Sequence, residues 1–211
     1  MEAIYSNGDR SNLLMMIETR KQMGKFTVID IGGSMCGWSC NHVDVLVDFN
    51  DPPPGANPNI VHFKCDITHP DSYVELMKYV EENGKFDFCI CTHVLEDIMN
   101  PAFVCEKMSA LAYSGYIAFP SKFRELSRFE GGYRGYIHHR WIFSVEAGRL
   151  LGYPKISYLE SPIFDAVADL SEHLCDMALY WNTSISIDYL NNNFLGPNVA
   201  SVIQYYNGLL A

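Results

Sequence analysis

Apolar residues gather in short runs along the first part of the chain, each closed by Gly, Asp or Pro, with amphipathic stretches between them. Leu13, Leu14, Met16 and Ile17 recur at helical spacing among polar neighbours. They predict an N-terminal helix over Ser11–Met23, within residues 1–24, ended by Gly24. The β-branched run Phe26–Ile31 reads as a first strand, followed at once by Gly32, Gly33 and Ser34. Val43–Phe49 is a second, stopped by the turn-rich Asn50–Pro58, and Ile60–Cys65 a third, ending at Asp66. Asp71–Glu82 reads as a helix closed by Asn83 and Gly84. Phe86–Cys91 is a fourth strand, apolar enough to be buried on both faces. Pro101–Leu111 is a second crossover helix with proline in its first turn, and Tyr116–Phe119 a fifth strand. Strand and crossover in alternation predict a parallel sheet with helices on its faces.

Beyond Pro120 the pattern loosens. Lys122–Trp141 is rich in Arg, Tyr, Gly and His and has no clean period. It is long for a connection, and long ordered loops in compact domains are commonly functional, so residues 122–143 read as a variable, substrate-side loop. Ser144–Leu151 reads as a helix stopped by Gly152. Ser184–Leu190 and Val199–Tyr206 read as strands joined by Asn191–Pro197, a terminal antiparallel hairpin. No repeat, low-complexity tract or linker interrupts the chain, so residues 1–211 are expected to form a single domain.

Composition narrows the partner. The 211 residues carry 15 basic and 25 acidic side chains, a net charge of −10. That field opposes loose binding to nucleic acid or anionic membranes, which leaves a small molecule as the expected partner. No apolar stretch approaches the roughly 18–20 residues of a membrane span, and no apolar segment behind a basic start opens the chain. Several of the seven cysteines lie inside apolar runs, where cysteine acts as a small buried hydrophobe. A reducing cytoplasm is the expected location.

Three acids close successive strands: Asp30 on the first, Asp48 on the second, Asp66 just past the third. Ligands of open α/β sheets bind outside those ends. Gly32 and Gly33 let the backbone approach a ligand that a side chain would block. Asp30 suits orienting that loop and facing a cationic amino group. Asp48 offers two oxygens to the two hydroxyls of a ribose. Asp66 suits an exocyclic adenine amine, with Ile67 packed on the ring. Amino acid, ribose and adenine in that order describe S-adenosyl-L-methionine.

Val28–Ser121 resembles the core of the class I methyltransferases. Val28-Ile-Asp-Ile-Gly-Gly33 is similar to their first motif, Val47-Asp48 to the ribose-binding acid, Cys65-Asp66-Ile67 to the adenine-binding one. Phe86–Asp97 is similar to the fourth motif and Tyr113–Pro120 to the strand and turn after it. The resemblance implies a Rossmann-like, mostly parallel seven-stranded sheet whose last strand is antiparallel. It implies S-adenosyl-L-methionine as cofactor, held by Asp30, Gly32, Gly33, Ser34, Asp48, Phe49, Asp66, Ile67, Thr92 and His93. Departures are Ser34 in place of a further glycine, Asp97 where many relatives carry His, and a connection from Ser34 to His42 too short for the usual helix. Met35, Cys36 and Trp38 are therefore expected to form an irregular lid.

The expected reaction is methyl transfer to oxygen or nitrogen of a small anionic metabolite, sugar- or phosphate-bearing. Histidine suits removal of the acceptor's proton because its pKa lies near working pH. His138, His139 and His93 are the candidate bases. Glu96, Arg134, Tyr136, Arg140 and Trp141 are the candidate acceptor contacts, the arginines as anchors for an anion. A catalytically inactive S-adenosylmethionine-binding or partner protein is the alternative from another class, and association as a homodimer stays open. Gly32-x-Ser34-x-x-Gly37 is also a degraded dinucleotide fingerprint, which keeps an NAD(P)-dependent oxidoreductase as a third reading. That reading leaves Asp66 without a role and no room for a helix N-terminus before Val43. Cys36, Cys40 and His42, or Cys89, Cys91 and His93, lack finger-like spacing, so no metal is expected.

Overall fold

The computed structural model describes residues 3–6, 10–34, 37–166, 174–190 and 199–208. In chain order, strand β1 is Ala3–Ser6 and helix α1 is Arg10–Met23. Strands β2 (Val28–Ile31), β3 (Val45–Asp48) and β4 (Val61–Lys64) precede helix α2 (Val74–Asn83). Strand β5 (Phe88–Thr92), helix α3 (Pro101–Leu111) and strand β6 (Ser114–Pro120) follow. Then come helix α4 (Lys122–Leu126), strands β7 (Trp141–Glu146), β8 (Arg149–Pro154), β9 (Asp176–Asn182) and β10 (Ile187–Tyr189), and helix α5 (Val199–Gly208).

Seven of these strands form one sheet in the order β1-β9-β6-β5-β2-β3-β4. The five from β2 to β6 are mutually parallel, β9 runs antiparallel to β6, and β1 antiparallel to β9. Six strands therefore share one direction and one is reversed. Successive side chains of a strand point to opposite faces, and β2 shows the consequence. Ile29 and Ile31 join the cluster under α2 and α3, with Leu76, Val104 and Met108. Val28 joins the opposite cluster under α1, with Leu13, Ile17 and Phe88. Helices cover both faces, as the alternation of strand and crossover predicts. Asn100 caps α3 by accepting from the Phe103 N–H at 3.2 Å, and Pro101 fills its first turn.

The second half departs from the sequence reading in three places. Ser144–Leu151 is not a helix but the β7–β8 hairpin, closed by Ala147 and Gly148 with φ of 48° and 76°. Positive φ at both positions is the turn whose twist matches the flanking strands. The terminal hairpin does not form as read. Val199–Gly208 is helical, and of Ser184–Leu190 only Ile187–Tyr189 is extended, paired in parallel with β8 in a three-stranded sheet β10-β8-β7. Its joining segment, Asn191–Pro197, lies outside the described residues. The reversed strand of the main sheet comes instead from Asp176–Asn182, and β1, unread in sequence, takes its outer edge. Val199–Gly208 pairs with neither β9 nor β8, whose outer sides carry β1 and β10. It docks by its side chains, Tyr205 stacking on Tyr153 with ring centroids 3.6 Å apart. Finally, the stretch Lys122–Trp141 opens with the short helix α4, and Trp141 already belongs to β7.

Among the described residues no helix is long and apolar enough to cross a membrane.

Candidate functional site

The sheet's strand order turns back between β2 and β5, where chain connections leave in opposite directions. Such a switch point opens a crevice at the carboxyl ends of the strands. A cleft of about 280 Å³ lies there, bordered by Gly32 after β2, Asp48 and Phe49 at the end of β3, Asp66 and Ile67 after β4, and His93 after β5. Six of the ten residues expected to hold the cofactor thus share one cavity. Val47, Cys65, Thr68, Val94, Asp97 and Ile98 complete its wall.

The glycines are fixed by what lies beside them. Gly32 has φ +77°, and a Cβ on it would stand 2.3 Å from a Val94 methyl. A Cβ on Gly33 would stand 2.3 Å from the Asp30 carboxylate. Asp30 therefore sits beneath the loop rather than in the cleft. It is buried, accepts a hydrogen bond from the Ser39 hydroxyl, and its Oδ1 finds no partner among the described residues. Burial pushes its carboxyl up to about 6, against the Ser39 hydroxyl, which favours the charged form; the charge of Asp48 adds to the rise. Of the two roles expected for Asp30, its placement fits orienting the loop.

Asp48 and Asp66 each fold over their own following turn with one oxygen. Asp48 Oδ1 accepts from the Asn50 N–H at 2.9 Å, and Asp66 Oδ1 from the Thr68 N–H at 2.9 Å and hydroxyl at 2.6 Å. The Thr68 bonds hold Asp66 below the ordinary carboxylate value. These are turn-capping contacts of the kind aspartate commonly makes, and both carboxylates still border the cleft. Phe49 is exposed at its mouth. Gly33, Ser34 and Thr92 lie outside the cleft wall. Met35 and Cys36, expected in the lid, lie outside the described residues, while Trp38 is half-buried with the Arg10 guanidinium 5.2 Å from its ring centre.

His93 enters the cleft from a left-handed backbone position, φ 53°, at the end of β5. Its Nδ1 lies 3.4 Å from Glu96 and its Nε2 3.8 Å from Asp176. Burial works against a charged ring, but the hydrogen bonding and charge of Glu96 and the charge of Asp176 outweigh it, so the pKa is raised. Such a ring keeps its proton longer than ordinary histidine and is better placed to donate than to act as base. Glu96 stands behind it, 1% exposed, with its Oε1 turned toward the His93 ring. It does not border the cleft.

His138 and His139 meet the cleft through Asp97. His139 is buried, its Nδ1 2.6 Å from Glu125 Oε1 and its Nε2 3.6 Å from Asp97 Oδ1. His138 is exposed, its Nε2 3.7 Å from the same oxygen. Lys155 donates to the other Glu125 oxygen at 2.7 Å and to the Tyr136 carbonyl at 2.6 Å. The Tyr136 ring packs on His139 with centroids 4.6 Å apart. The niche depends on Gly135, φ +58°, where a Cβ would stand 2.3 Å from Glu125 Oε2 and 2.7 Å from its Cα.

Three of the expected acceptor contacts are committed to the fold instead. Arg134 is 1% exposed; its guanidinium donates to the carbonyls of Leu126, Phe164 and Ser161 and to Asp165. Buried, with both terminal nitrogens engaged, it ties these loops together. Trp141 donates its indole N–H to the Ile98 carbonyl at 2.9 Å, pinning the turn that bears Asp97. Glu96, buried behind His93, is the third. Arg140 stays exposed, with Nε donating to the Asp97 carbonyl at 3.0 Å. Cys89 and Cys91 are fully buried in one core cluster, which agrees with their reading as hydrophobes.

Sequence reasoning did not find Glu125, Lys155 or Asp176. Glu125 and Lys155 are thirty residues apart, with a loop and the β7–β8 hairpin between them and no shared periodicity. Asp176 is brought beside His93 by its pairing opposite Pro120 across β6 and β9. Only the density of His and Arg in Gly135–Trp141 marked the neighbourhood.

No protein-family model matches the chain, and no curated protein matches it. Solved structures similar to it include the magnesium protoporphyrin IX methyltransferase of Synechocystis PCC 6803 with bound SAM, at 13% identity and TM-score 0.39 over 55% of this chain and 59% of that one. An S-adenosylmethionine-dependent methyltransferase from Mesorhizobium loti is similar at 16% identity and TM-score 0.36, over 67% of this chain and 64% of that one. A putative one from Listeria monocytogenes is similar at 13% identity and TM-score 0.38, over 77% and 94%. The chain spans about half the length of the first of the structures it matches. With six strands parallel and one reversed, the chain has the Rossmann-like sheet that its resemblance to class I methyltransferases implies.

Proposed function

We propose that the cleft binds S-adenosyl-L-methionine and that the chain transfers its methyl group to a small acceptor held between the cleft and His138–His139. One observation carries this reading: Asp48 and Asp66, at the ends of adjacent parallel strands, border one cavity with Gly32 at the sheet's switch point. The donor set fits the group. Asp48 would take the ribose hydroxyls, Asp66 the adenine amine, and Ile67 one face of the base. The loop Gly32–Gly33, held over Asp30, would admit the amino-acid end.

When bound, S-adenosylmethionine supplies an electrophilic methyl on a sulfonium. The chain's own part is to align the acceptor behind that methyl and keep water out. Asp97, His138 and His139 face one point on the cleft's edge, so turnover is assigned to them, with Glu125 and Tyr136 as positioning residues for His139. Overall, the acceptor's lone pair forms the new bond to carbon, the carbon–sulfur electrons return to sulfur, and the acceptor's proton leaves on this side. Of the arginines expected to recognise an anionic metabolite, Arg140 is the one whose exposure supports that role. Arg134 is committed to loop carbonyls and Asp165.

Calorimetric titration of the full chain with S-adenosylhomocysteine, with NADH as control, tests the reading. Micromolar binding of the first and none of the second is expected. The reverse would establish the oxidoreductase alternative, and binding without turnover on any acceptor would establish the inactive binding protein.

A further inference from the structure

Three side chains on the acceptor side converge. Asp97 Oδ1 lies 3.6 Å from His139 Nε2 and 3.7 Å from His138 Nε2, and all three atoms fall within 4.8 Å of one another. A tetrahedral ion with nitrogen and oxygen ligands at about 2.0–2.2 Å sets neighbouring ligand atoms roughly 3.3 Å apart. Asp97 Oδ1 is buried and accepts no hydrogen bond among the described residues. We propose that Asp97, His138 and His139 form a site for a divalent transition-metal ion.

The surroundings of His139 support a ligand more than a surface histidine. Its Nδ1 lies 2.6 Å from the Glu125 carboxylate, which accepts only, and its Nε2 is the atom turned toward Asp97. A carboxylate behind a metal-bound imidazole fixes the tautomer and ring orientation and raises ligand basicity. Lys155 occupies the other Glu125 oxygen, so that carboxylate is balanced and does not compete for the ion. Tyr136 holds the ring from its face. His138, on an exposed side chain, closes the remaining gap by a small rotation. The ligands come from two segments distant in sequence, which is why the cysteine–histidine sets along the chain gave no sign of them.

The donor set also selects the ion. Two imidazoles and one carboxylate suit Zn²⁺, Fe²⁺ or Co²⁺, whereas Mg²⁺ and Ca²⁺ take oxygen ligands. Three protein ligands leave a coordination position open, as in sites that bind substrate rather than brace a fold. Asp97 borders the cleft, so the open position faces the acceptor. Resting on the methyl-transfer reading, the ion binds an acceptor oxygen and lowers its proton affinity, and the proton passes to solvent. The preferred acceptor is then a hydroxyl-bearing molecule rather than an amine.

The experiment is a titration of tag-free, chelator-treated full chain with Co²⁺, followed by visible absorption, then displacement by Zn²⁺. Saturable binding of roughly one ion per chain is expected, and His138→Ala and Asp97→Asn should each weaken it at least about tenfold, as loss of a ligand or its support does. Glu125→Gln should weaken it about 10–100-fold, the effect of losing a carboxylate behind a ligating histidine. Absence of saturable binding, or equal binding by His138→Ala and Asp97→Asn, overturns the site. His138 is exposed, so its variant reports on the site and not on folding. A parallel titration with S-adenosylhomocysteine keeps the readings apart: metal binding without it refutes only the methyl-transfer role, and the reverse refutes only the metal.

Discussion

The two sides of the cleft are built on opposite plans. The side proposed to hold the methyl donor consists of residues at the ends of parallel strands, each standing beside the next because the strands do. The side proposed for the acceptor consists of Asp97 from a turn, Glu125 from a one-turn helix, His138 and His139 from a loop and Lys155 after a hairpin, held by buried charge. The first borrows its geometry from the sheet; the second must assemble its own. Mutations should therefore separate them: acceptor-side changes cost stability, donor-side changes cost affinity.

The sharpest break of that contrast is Glu125→Ala. It strands the buried His139 and the mostly buried Lys155 ammonium, and removing one partner of a buried pair typically costs about 3–5 kcal/mol. Urea denaturation should show a loss of that order. S-adenosylhomocysteine affinity, measured where the variant is still folded, should stay unchanged. Loss of both together would mean that the two sides are one unit.

On the proposed donor side the buried Asp30 gives a pH signature. Asp30 has an ordinary value of 3.8 and about 6 in the fold. Below pH 4 it is protonated in folded and unfolded chains alike. Between pH 4 and 6 the unfolded chain loses its proton first, so the folded state weakens as pH rises, by about 3 kcal/mol for a shift of this size. Asp30→Asn should abolish that slope in melts across the range. An unchanged slope would place the titration elsewhere.

The same contrast decided what could be read in advance. Asp30, Asp48 and Asp66 are legible because a strand's end shows in one dimension as an apolar run stopped by an acid, and parallel pairing then makes those ends neighbours. Five strands and three helices were legible for the same local reason. Ser144–Leu151 was not, because a short apolar run with one Gly fits helix and hairpin alike, and the turn at Ala147 depends on a backbone conformation its residue type rarely adopts. Val199–Gly208 carries Val, Tyr and Ile that favour strands, yet tertiary docking of Tyr205 against Tyr153 and Glu146 prevails. Arg134 looked like an anion anchor because residue type says nothing of which carbonyls surround it. Glu125 and Lys155 became a pair only in three dimensions.

Within the donor side, Asp48→Ala removes the carboxylate assigned to the ribose. Hydrogen bonds to a charged group contribute about 1.5–3 kcal/mol, or roughly 10–100-fold in affinity. Stability should move by no more than about 0.5 kcal/mol, as for half-exposed positions away from the core. A drop in stability of the same size as the drop in binding would make Asp48 a turn residue rather than a ligand contact.

The smallest effect separates Asp66 from Asp48. Asp66 gives one oxygen to Thr68 in a turn-closing pair of bonds, and the amide oxygen of Asn can accept the same two. Asp66→Asn should therefore leave stability nearly unchanged while it removes the charge that an adenine amine would meet. A neutral acceptor in place of a charged one is worth about 1 kcal/mol, roughly fivefold in S-adenosylhomocysteine affinity. Asp66→Ala, which also opens the turn, should cost both affinity and stability. If Asn and wild type bind equally while Ala loses only stability, Asp66 serves the turn alone, and the cleft recognises adenine by the shape of Ile67 and its neighbours. If Asn binds more weakly at unchanged stability, the carboxylate reaches the base, and Asp48 and Asp66 each have their own part of the ligand.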